Sequence, residues 1–374
     1  MVHRIDVVPL KSSSAGTERR LKVHRIGVPG ARPKVHVQAG LHANEIPGLL
    51  IAHHLLALAL EADRQGLVTG EIVILPYANP IGLSDNVLGN QIGREALDGG
   101  GNYNRGWPDL AAAILPLVGN RLGPDPAANV TIVRQAIRDA LDAMQPATEI
   151  QFMQHALLRL ASDADLLIDL HTELQAVAGA VVAPWCLEAM SGLIAELDPA
   201  LVHVTDTPPL FDSVCSRPWH AVGAASGPDR PVPQALAGIT VEMRGVTDVS
   251  DELARADAQA IFRHLMRSGI VSGDPGPAPE WKRDITPHEA IFMMRSPAAG
   301  VIVYPQPLGT RVEAGAIVAE IVDPDADEPE AARTPIRTHR PGLIYATVLN
   351  RLVRPNDIVI KIAATDTQPA GAAA

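Results

Sequence analysis

VHVQAGLHANEIPGLL, residues 35–50, places a histidine and a glutamate, His42 and Glu45, three positions apart. The apolar run before Gly40 predicts a short buried strand, Gly40 permits a turn, and the apolar spacing over 46–60 predicts a helix. Both side chains then lie at the carboxyl end of a strand, where open α/β sheets bind their ligands. Imidazole and carboxylate are good zinc ligands, but a catalytic zinc usually takes three protein ligands. The pair alone is a weak signal.

A third ligand is available at the end of another buried strand, predicted over 166–170 and followed by His171. Parallel strands bring their carboxyl ends to one edge of a sheet, so His171 is the natural partner of the first pair. Asp169 lies two residues earlier on the same face and could accept the ring N–H of a ligand histidine. The alternatives are a hydrogen-bonded structural histidine and a buried aspartate satisfied by backbone donors.

Glu242 ends the otherwise apolar strand predicted over 239–242. A carboxylate there either forms an ion pair with Arg244 or serves as general base and then general acid in a metal-assisted hydrolysis. Glu173 is the rival base because it is close to His171, although the sequence predicts that it lies beyond its strand on a solvated turn.

The segment 81–109 is a long loop, rich in glycine and asparagine, and contains Arg94, Asn104 and Arg105. A loop of this length inside a compact domain is usually functional or disordered, and the aromatic residues in it favour function. Arginine binds carboxylates with a planar fork or stabilises a developing oxyanion. The two arginines therefore suggest an anionic substrate, with ordinary surface ion pairs as the alternative.

Composition restricts the partners of this 374-residue chain, which carries a net charge of −11 and is 47% apolar. The acidic balance disfavours nucleic acid or an anionic membrane as the main partner. No leader pattern and no apolar run of about 18 residues is found, so we expect a soluble, cytoplasmic protein. Cys186 and Cys215 are too few for a disulfide framework and are expected to be reduced, apolar residues.

Alternating strand and helix patterns over residues 1–280 predict an α/β domain with a largely parallel, mixed sheet flanked by helices. The Pro- and Gly-rich stretch 272–284 predicts a domain boundary. Residues 285–365 are predicted to form a separate domain of short strands joined by glycine turns. Residues 366–374 are predicted to be a disordered tail. Two similar segments suggest an internal repeat, with the following equivalent pairs: Gly300 and Gly342, Val312 and Val353, Ile317 and Ile358.

Four motifs, HANE, NYNR, DLHT and VEMR, occur in this order and together resemble the succinylglutamate desuccinylase/aspartoacylase family, which belongs with the zinc carboxypeptidases. The resemblance covers roughly residues 1–280 and implies a zinc-carboxypeptidase-like fold with one Zn²⁺ per chain. The residues it implies are His42, Glu45 and His171 as metal ligands, Asn104 and Arg105 for a substrate carboxylate, Arg94 for the scissile carbonyl, and Glu242 for water activation. Many relatives have Asp at the position of Asn102.

The C-terminal repeats resemble the barrel-sandwich hybrid of lipoyl and biotinyl carriers. Those carriers present a lysine at a hairpin tip, whereas Lys361 lies inside the apolar strand DIVIKIA. We therefore expect a structural or gating lid, or an assembly surface, rather than a carrier.

The sequence thus predicts a zinc-dependent amidohydrolase acting on linear amides, a deacylase whose partner is a small N-acyl amino acid or similar substrate. The same chemistry would serve a metallocarboxypeptidase acting on short peptides, or an ester or lactam substrate. A non-catalytic binding or assembly protein is the alternative from another class, and homo-oligomers remain possible.

Overall fold

A computed structural model describes residues 3–282 and 285–365 of the chain. The expected tail at 366–374 lies outside the described residues. The helices are α1 (Pro47–Arg64), α2 (Leu110–Val118), α3 (Pro126–Ala143), α4 (Glu149–Ala161), α5 (Leu187–Leu197), α6 (Phe211–Ser226) and α7 (Asp251–Arg267).

Strands account for most of the remaining regular structure. They are β1 (Arg4–Leu10), β2 (Arg19–Gly27), β3 (Lys34–Ala39), β4 (Glu71–Leu75), β5 (Asn86–Val87), β6 (Asn90–Gln91), β7 (Glu95–Ala96), β8 (Gly101–Asn102), β9 (Leu166–Glu173), β10 (Gln175–Ala176), β11 (Gly179–Val182), β12 (Leu201–Val204), β13 (Ala237–Gly245), β14 (Ile285–Pro287), β15 (Ile291–Arg295), β16 (Gly300–Val303), β17 (Arg311–Val312), β18 (Ile317–Val322), β19 (Arg333–Arg337), β20 (Gly342–Thr347), β21 (Leu352–Val353) and β22 (Ile358–Ala364).

A nine-stranded sheet organises the described part of the chain, in the order β1-β2-β4-β3-β9-β13-β11-β12-β14. Its centre, β4-β3-β9-β13, is parallel, and so is the edge β11-β12-β14. The antiparallel pairs are β1 with β2, β2 with β4, and β13 with β11. The predicted β3-α1-β4 unit is present with parallel strands. The expectation of a mixed, largely parallel sheet flanked by helices is therefore confirmed.

Helices cover both faces of this sheet because its central strands are apolar on both sides. One buried cluster joins the sheet to α1, α5 and α7. The other joins it to α2, α3, α4 and α6, and includes the fully buried Phe211 and Trp219 of α6. Helix α6 was not anticipated from the sequence. Both cysteines are free and buried, as expected.

The C-terminal strands form two antiparallel sheets that follow the predicted repeat. One contains β10-β20-β22-β15, with β17 paired to β20, and the other contains β19-β18-β16-β21. Equivalent residues begin equivalent strands: Gly300 and Gly342 begin β16 and β20, and Ile317 and Ile358 begin β18 and β22. The short strands cross between the copies, since β17 pairs with β20 while β21 pairs with β16.

The two parts of the chain exchange strands at their boundary. β14, which follows the Pro- and Gly-rich stretch, pairs parallel with β12 at the edge of the large sheet. β10, from the N-terminal part, pairs with β20 of the C-terminal sheet. The C-terminal strands are therefore fixed against the carboxyl edge of β9, which leads directly into β10. Among the described residues, no helix is both long and apolar enough to cross a bilayer.

Candidate metal centre

His42, Glu45 and His171 lie together at the carboxyl edge of the sheet. One potential ligand atom from each lies within 4.8 Å of the other two. Glu45 bridges the histidines, with His42 Nδ1 at 2.9 Å from Oε1 and His171 Nδ1 at 2.9 Å from Oε2. All three residues are buried. The structure therefore brings together the three ligands predicted from separate parts of the sequence.

Two glycines allow the backbone to position this cluster. Gly40 turns the chain after β3 with a φ of +68°, a conformation that favours glycine. Gly48, in the first turn of α1, packs against β9, and a Cβ added there would lie 3.1 Å from the Cβ of Leu170. Glu45, just before α1, thus lies beside the end of β9, where its Oε2 also accepts from the backbone N–H of Thr172 at 2.9 Å.

A chain of buried polar side chains supports His171 from within the sheet. Its Nε2 donates to Asp169 Oδ2 at 2.9 Å, which is the contact expected for Asp169. The other oxygen of Asp169 accepts from Gln38 Nε2 at 3.0 Å, and Gln38 Oε1 lies 3.2 Å from His36 Nε2. Sequence reasoning missed Gln38 and His36. The signal was available, because two polar residues alternate on one face of the apolar strand VHVQA.

Asn102 supports the other histidine. Its Oδ1 accepts from His42 Nε2 at 2.9 Å and from the backbone N–H of Asn104 at 2.9 Å. The position where many relatives carry Asp thus contacts a predicted metal ligand directly. Each histidine has its Nε2 held by an oxygen and its Nδ1 directed at Glu45, which fixes which ring nitrogen faces the cluster.

The carboxylates give the centre a strong preference for positive charge. Burial would lower the pKa of His171, but Asp169 and Glu45 outweigh it and raise that pKa well above its usual value. Burial likewise opposes the charged form of Glu45, yet His171 and His42 hold its pKa well below the usual range. Burial lowers the pKa of His42. Surroundings that stabilise an imidazolium also stabilise a divalent cation, so the donor set and its electrostatics fit a metal ion.

Arg94 reaches this cluster from the long loop. Its Nη1 donates to Glu45 Oε1 at 2.6 Å and lies 3.2 Å from His42 Nδ1. The side chain remains 40% exposed, so the guanidinium lies between the buried cluster and solvent.

Glu242 and His171 are register partners on the adjacent parallel strands β13 and β9. Glu242 Oε2 is buried and has no hydrogen-bond partner among the described residues. Burial, followed by the charges of Glu45 and Glu173, raises the pKa of Glu242 to about 8. The alternative partner Arg244 forms an ion pair with Asp257 instead.

Glu173 has a different environment from the one predicted. β9 extends through Glu173, so this residue ends the strand and does not lie on a solvated turn. Its carboxylate forms an ion pair with Lys361 of β22. Tyr345 of β20 is close to both Glu173 and Glu242, and burial and these carboxylates raise its pKa. The contacts of Lys361 and Tyr345 with these carboxylates could not be predicted from the sequence motifs, because both residues lie outside them.

Asn104 and Arg105 lie on the loop next to Asn102. Asn104 Oδ1 accepts from Trp107 Nε1 at 2.9 Å and from the backbone N–H of Phe211 at 3.1 Å. Among the described residues no acceptor bonds the Nδ2 of Asn104, which leaves that amide nitrogen available as a donor. Burial, followed by the charge of Arg94, lowers the pKa of Arg105.

Fold and site together define an α/β protein with a candidate metal centre at the carboxyl edge of a mixed sheet. Residues 31–109 match the family model of the Succinylglutamate desuccinylase/Aspartoacylase catalytic domain. The resemblance indicated by the four motifs is thereby confirmed, and it supports an enzyme of the hydrolase class. The matched segment includes His42 and Glu45, whereas His171 and Glu242 lie beyond it.

Solved structures share the fold over almost the whole chain. A Shewanella amazonensis SB2B protein, provisionally named a succinylglutamate desuccinylase/aspartoacylase family protein, has a TM-score of 0.85 at 20% identity, with 97% of this chain and 99% of that chain covered. A protein of similar provisional name from Shewanella frigidimarina NCIMB 400 has a TM-score of 0.83 at 18% identity, with 97% of each chain covered.

The ectoine utilization protein EutE (DoeB) from Ruegeria pomeroyi, in a product-bound structure, has a TM-score of 0.67 at 17% identity, with 97% of this chain and 95% of that chain covered. At these identities the likeness establishes the fold alone. No curated protein sequence matches the chain.

Proposed function

We propose that the protein is a zinc-dependent deacylase that hydrolyses the amide bond of a small N-acyl amino acid or a similar carboxylate-bearing amide. The observation that carries the proposal is the convergence of His42, Glu45 and His171 beside Glu242, whose carboxylate has a buried oxygen without a partner. Ligands for a divalent ion and a carboxylate suited to proton transfer thus lie at the same edge of the sheet.

His42, Glu45 and His171 would hold the ion, each histidine through Nδ1. When bound, zinc supplies Lewis acidity that polarises a carbonyl and lowers the pKa of water. Asp169 and Asn102 keep the two rings in the orientation that this requires, because each already holds the Nε2 of one ring.

Glu242 would take a proton from the attacking water and then deliver it to the leaving amine. A pKa raised to about 8 suits a group that must both accept and donate a proton near neutral pH. Glu173 is less suited to this task because Lys361 already neutralises it.

The loop residues would bind and orient the substrate. Arg94 would polarise the scissile carbonyl, since its guanidinium lies beside Glu45 at the mouth of the cluster. Asn104 Nδ2 and Arg105 would hold the substrate carboxylate, which fixes the amide relative to Glu242. The C-terminal strands would act as a lid that limits the site to small substrates.

Substitution of the proposed base tests this assignment. We expect Glu242→Gln to retain stoichiometric zinc and to lose roughly 10²–10⁴-fold in kcat on N-acyl amino acids, the usual contribution of a general base. Glu173→Gln is the matched control and should keep kcat within about tenfold. Equal losses in the two variants, or full activity of Glu242→Gln, would show that the base is misassigned.

Substrate range separates the proposal from its alternatives. Hydrolysis of N-acyl amino acids but not of short peptides is expected, whereas efficient removal of C-terminal residues from peptides would favour a metallocarboxypeptidase. A protein that neither retains zinc nor hydrolyses any amide after zinc is added would favour a non-catalytic binding function.

A further inference from the structure

A cavity of about 190 Å³ lies between the metal centre and the C-terminal sheet. Arg94, Glu173 and Leu174 line it from the N-terminal part. The C-terminal part contributes most of the wall: Ala346, Thr347, Val348, Ile358, Val359, Ile360 and Lys361. Arg94 lines the cavity and also donates to Glu45, so the cavity lies next to the candidate centre.

The chemistry of this cavity is mainly apolar. Its two cationic side chains already have carboxylate partners, because Lys361 pairs with Glu173 and Arg94 pairs with Glu45. A second carboxylate on a substrate would therefore have to compete with those partners while losing its hydration. An uncharged hydrocarbon group would meet no such penalty.

The position of the cavity indicates which part of a substrate enters it. Neither Asn104 nor Arg105 is among the described residues that line it. If these two residues hold the carboxylate of the amine portion and Arg94 holds the carbonyl, the cavity lies on the acyl side of the amide.

We propose that this cavity binds the acyl group of the substrate and that this group is an apolar chain or ring of about six to eight carbons. The size follows from the volume, since an apolar cavity of about 150 Å³ is known to accept benzene. The inference rests on the proposed deacylase function and makes its substrate class specific: N-(medium-chain or aromatic acyl) amino acids.

The first test compares acyl groups on one amine. Zinc-loaded protein should hydrolyse N-octanoylglycine with a kcat/KM at least tenfold above that for N-acetylglycine and N-succinylglycine, because each buried methylene adds roughly three- to fourfold in affinity. A preference for acetyl or succinyl would overturn the inference while leaving the deacylase function intact.

Filling the cavity provides the second test. Val348 is partly exposed on its wall, so Val348→Phe should fit there and reduce the octanoyl-to-acetyl ratio of kcat/KM at least tenfold. Val301→Phe is the matched control, since Val301 is 37% exposed on β16 and does not line the cavity. Should Val348→Phe fail to fold, Leu174→Gln makes the opposite wall polar and should reduce the same ratio. An unchanged ratio in a folded variant would overturn the inference.

Binding of free acids separates this inference from the proposed function. Calorimetry on the zinc-loaded protein should show octanoate binding more tightly than acetate or succinate, and Val348→Phe should weaken it. If octanoate binds in this way but no amide is hydrolysed, the deacylase function fails while the apolar site stands. If octanoate binds no better than acetate, the apolar site is wrong whatever the activity.

Discussion

Buried side chains within the sheet orient His171, one of the proposed metal ligands. His36, Gln38 and Asp169 are buried and form a continuous hydrogen-bonded chain that ends at His171. Gln38 donates to the Asp169 oxygen that His171 does not use, so both oxygens of this buried carboxylate have partners and its orientation is defined. Gln38 is therefore a positioning residue for the candidate centre.

Gln38→Leu should lower the zinc affinity of the candidate centre although it replaces none of the proposed metal ligands. Asp169 Oδ1 would lose its partner in the core, so we expect zinc affinity, measured by competition with a chromophoric chelator, to fall about tenfold. The free energy of unfolding should also fall by about 1–3 kcal/mol. Val37→Ala, on the opposite face of the same strand, should cost stability but leave zinc affinity unchanged. If both variants retain wild-type affinity, Gln38 has no positioning role.

Substitution of Asn102 should be able to raise zinc affinity as well as lower it. A carboxylate accepts from an imidazole N–H more strongly than an amide oxygen and raises the basicity of the other ring nitrogen. We therefore expect Asn102→Asp to bind zinc several-fold more tightly and Asn102→Leu to bind it more weakly, in the same chelator competition. Equal affinities in the three proteins would show that the contact with His42 does not affect the metal.

The clustering of His42, Glu45 and His171 could be predicted from the sequence because each residue follows a recognisable apolar strand or turn. His171 follows LLIDL, and Glu45 precedes an amphipathic helix. The contact between Asn102 and His42 was not predictable, because it depends on how a loop of irregular structure folds back over the sheet. Its regular pieces are only two residues long, as in β7 and β8, so periodicity carries no signal there.

At the scale of elements, the register between β9 and β13 determines whether Glu242 lies beside the candidate centre. Parallel pairing places Glu242 opposite His171, and a shift by one residue would turn the carboxylate to the other face. Sequence reasoning placed both residues at strand ends, which was sufficient to bring them to one edge. It did not give the pairing of β9 with β13, because strand order is set by tertiary packing.

Helices α2 and α6 were both missed from the sequence, and α6 shows why. Its sequence, FDSVCSRPWHAVGAAS, contains Pro218 and a glycine, so its intrinsic helix propensity is low. The helix forms because Phe211 and Trp219 are fully buried against the sheet. Tertiary packing therefore compensates for a weak local preference, and packing cannot be inferred from one segment alone.

The ion pair between β9 and β22 should couple the two parts of the chain. Lys361 and Glu173 are each about one quarter exposed, with side-chain exposures of 24% and 23%. We expect Lys361→Met to lower the free energy of unfolding by about 1–2 kcal/mol, because Glu173 would be left partly buried without its partner. Denaturant unfolding of Lys361→Met, Glu173→Gln and the double variant should give a coupling energy of about 1 kcal/mol.

The control for that cycle is a solvent-exposed pair. Lys282 and Glu280 are 72% and 80% exposed, so Lys282→Met should change stability by less than about 0.5 kcal/mol. A coupling energy near zero between Lys361 and Glu173 would mean that the strands are held together by the sheets alone.

At the scale of the whole molecule, the exchanged strands limit how the C-terminal part can move. β14 lies at the edge of the large sheet and β10 lies in the C-terminal sheet, so separation of the two parts would break backbone hydrogen bonds in both. Any opening of the site must therefore come from the loop that carries Arg94 or from small shifts within the C-terminal part. The sequence predicted the C-terminal strands and their repeat, but this exchange depends on pairs distant in the chain.

The free energy of unfolding of the whole chain should depend on pH because some of its histidines are buried in the neutral form. His264 on α7 is 5% exposed, its Nδ1 has no partner among the described residues, and burial lowers its pKa to about 4. The neighbouring charges are Glu196, which opposes this shift, and Arg267, which adds to it. In the unfolded chain a histidine has a pKa of about 6.5, so the unfolded state takes up the proton first as the pH falls. Stability from this group is therefore complete above about pH 7 and is lost as the pH falls toward 4.

His264→Leu should reduce this pH dependence because leucine fills similar space and cannot titrate. Between pH 7 and pH 5 we expect the wild-type free energy of unfolding to fall by roughly 1–2 kcal/mol more than that of the variant, from the difference between the two pKa values. Urea unfolding at both pH values measures the difference directly, and His155→Gln serves as a control because His155 is only partly buried on α4. The unfolded state takes up most of its proton at this histidine between pH 7 and pH 5, so a buried neutral His264 must lower the wild-type stability in that interval. Equal losses of stability in wild type and His264→Leu would therefore show that protonation of His264 does not destabilise the fold.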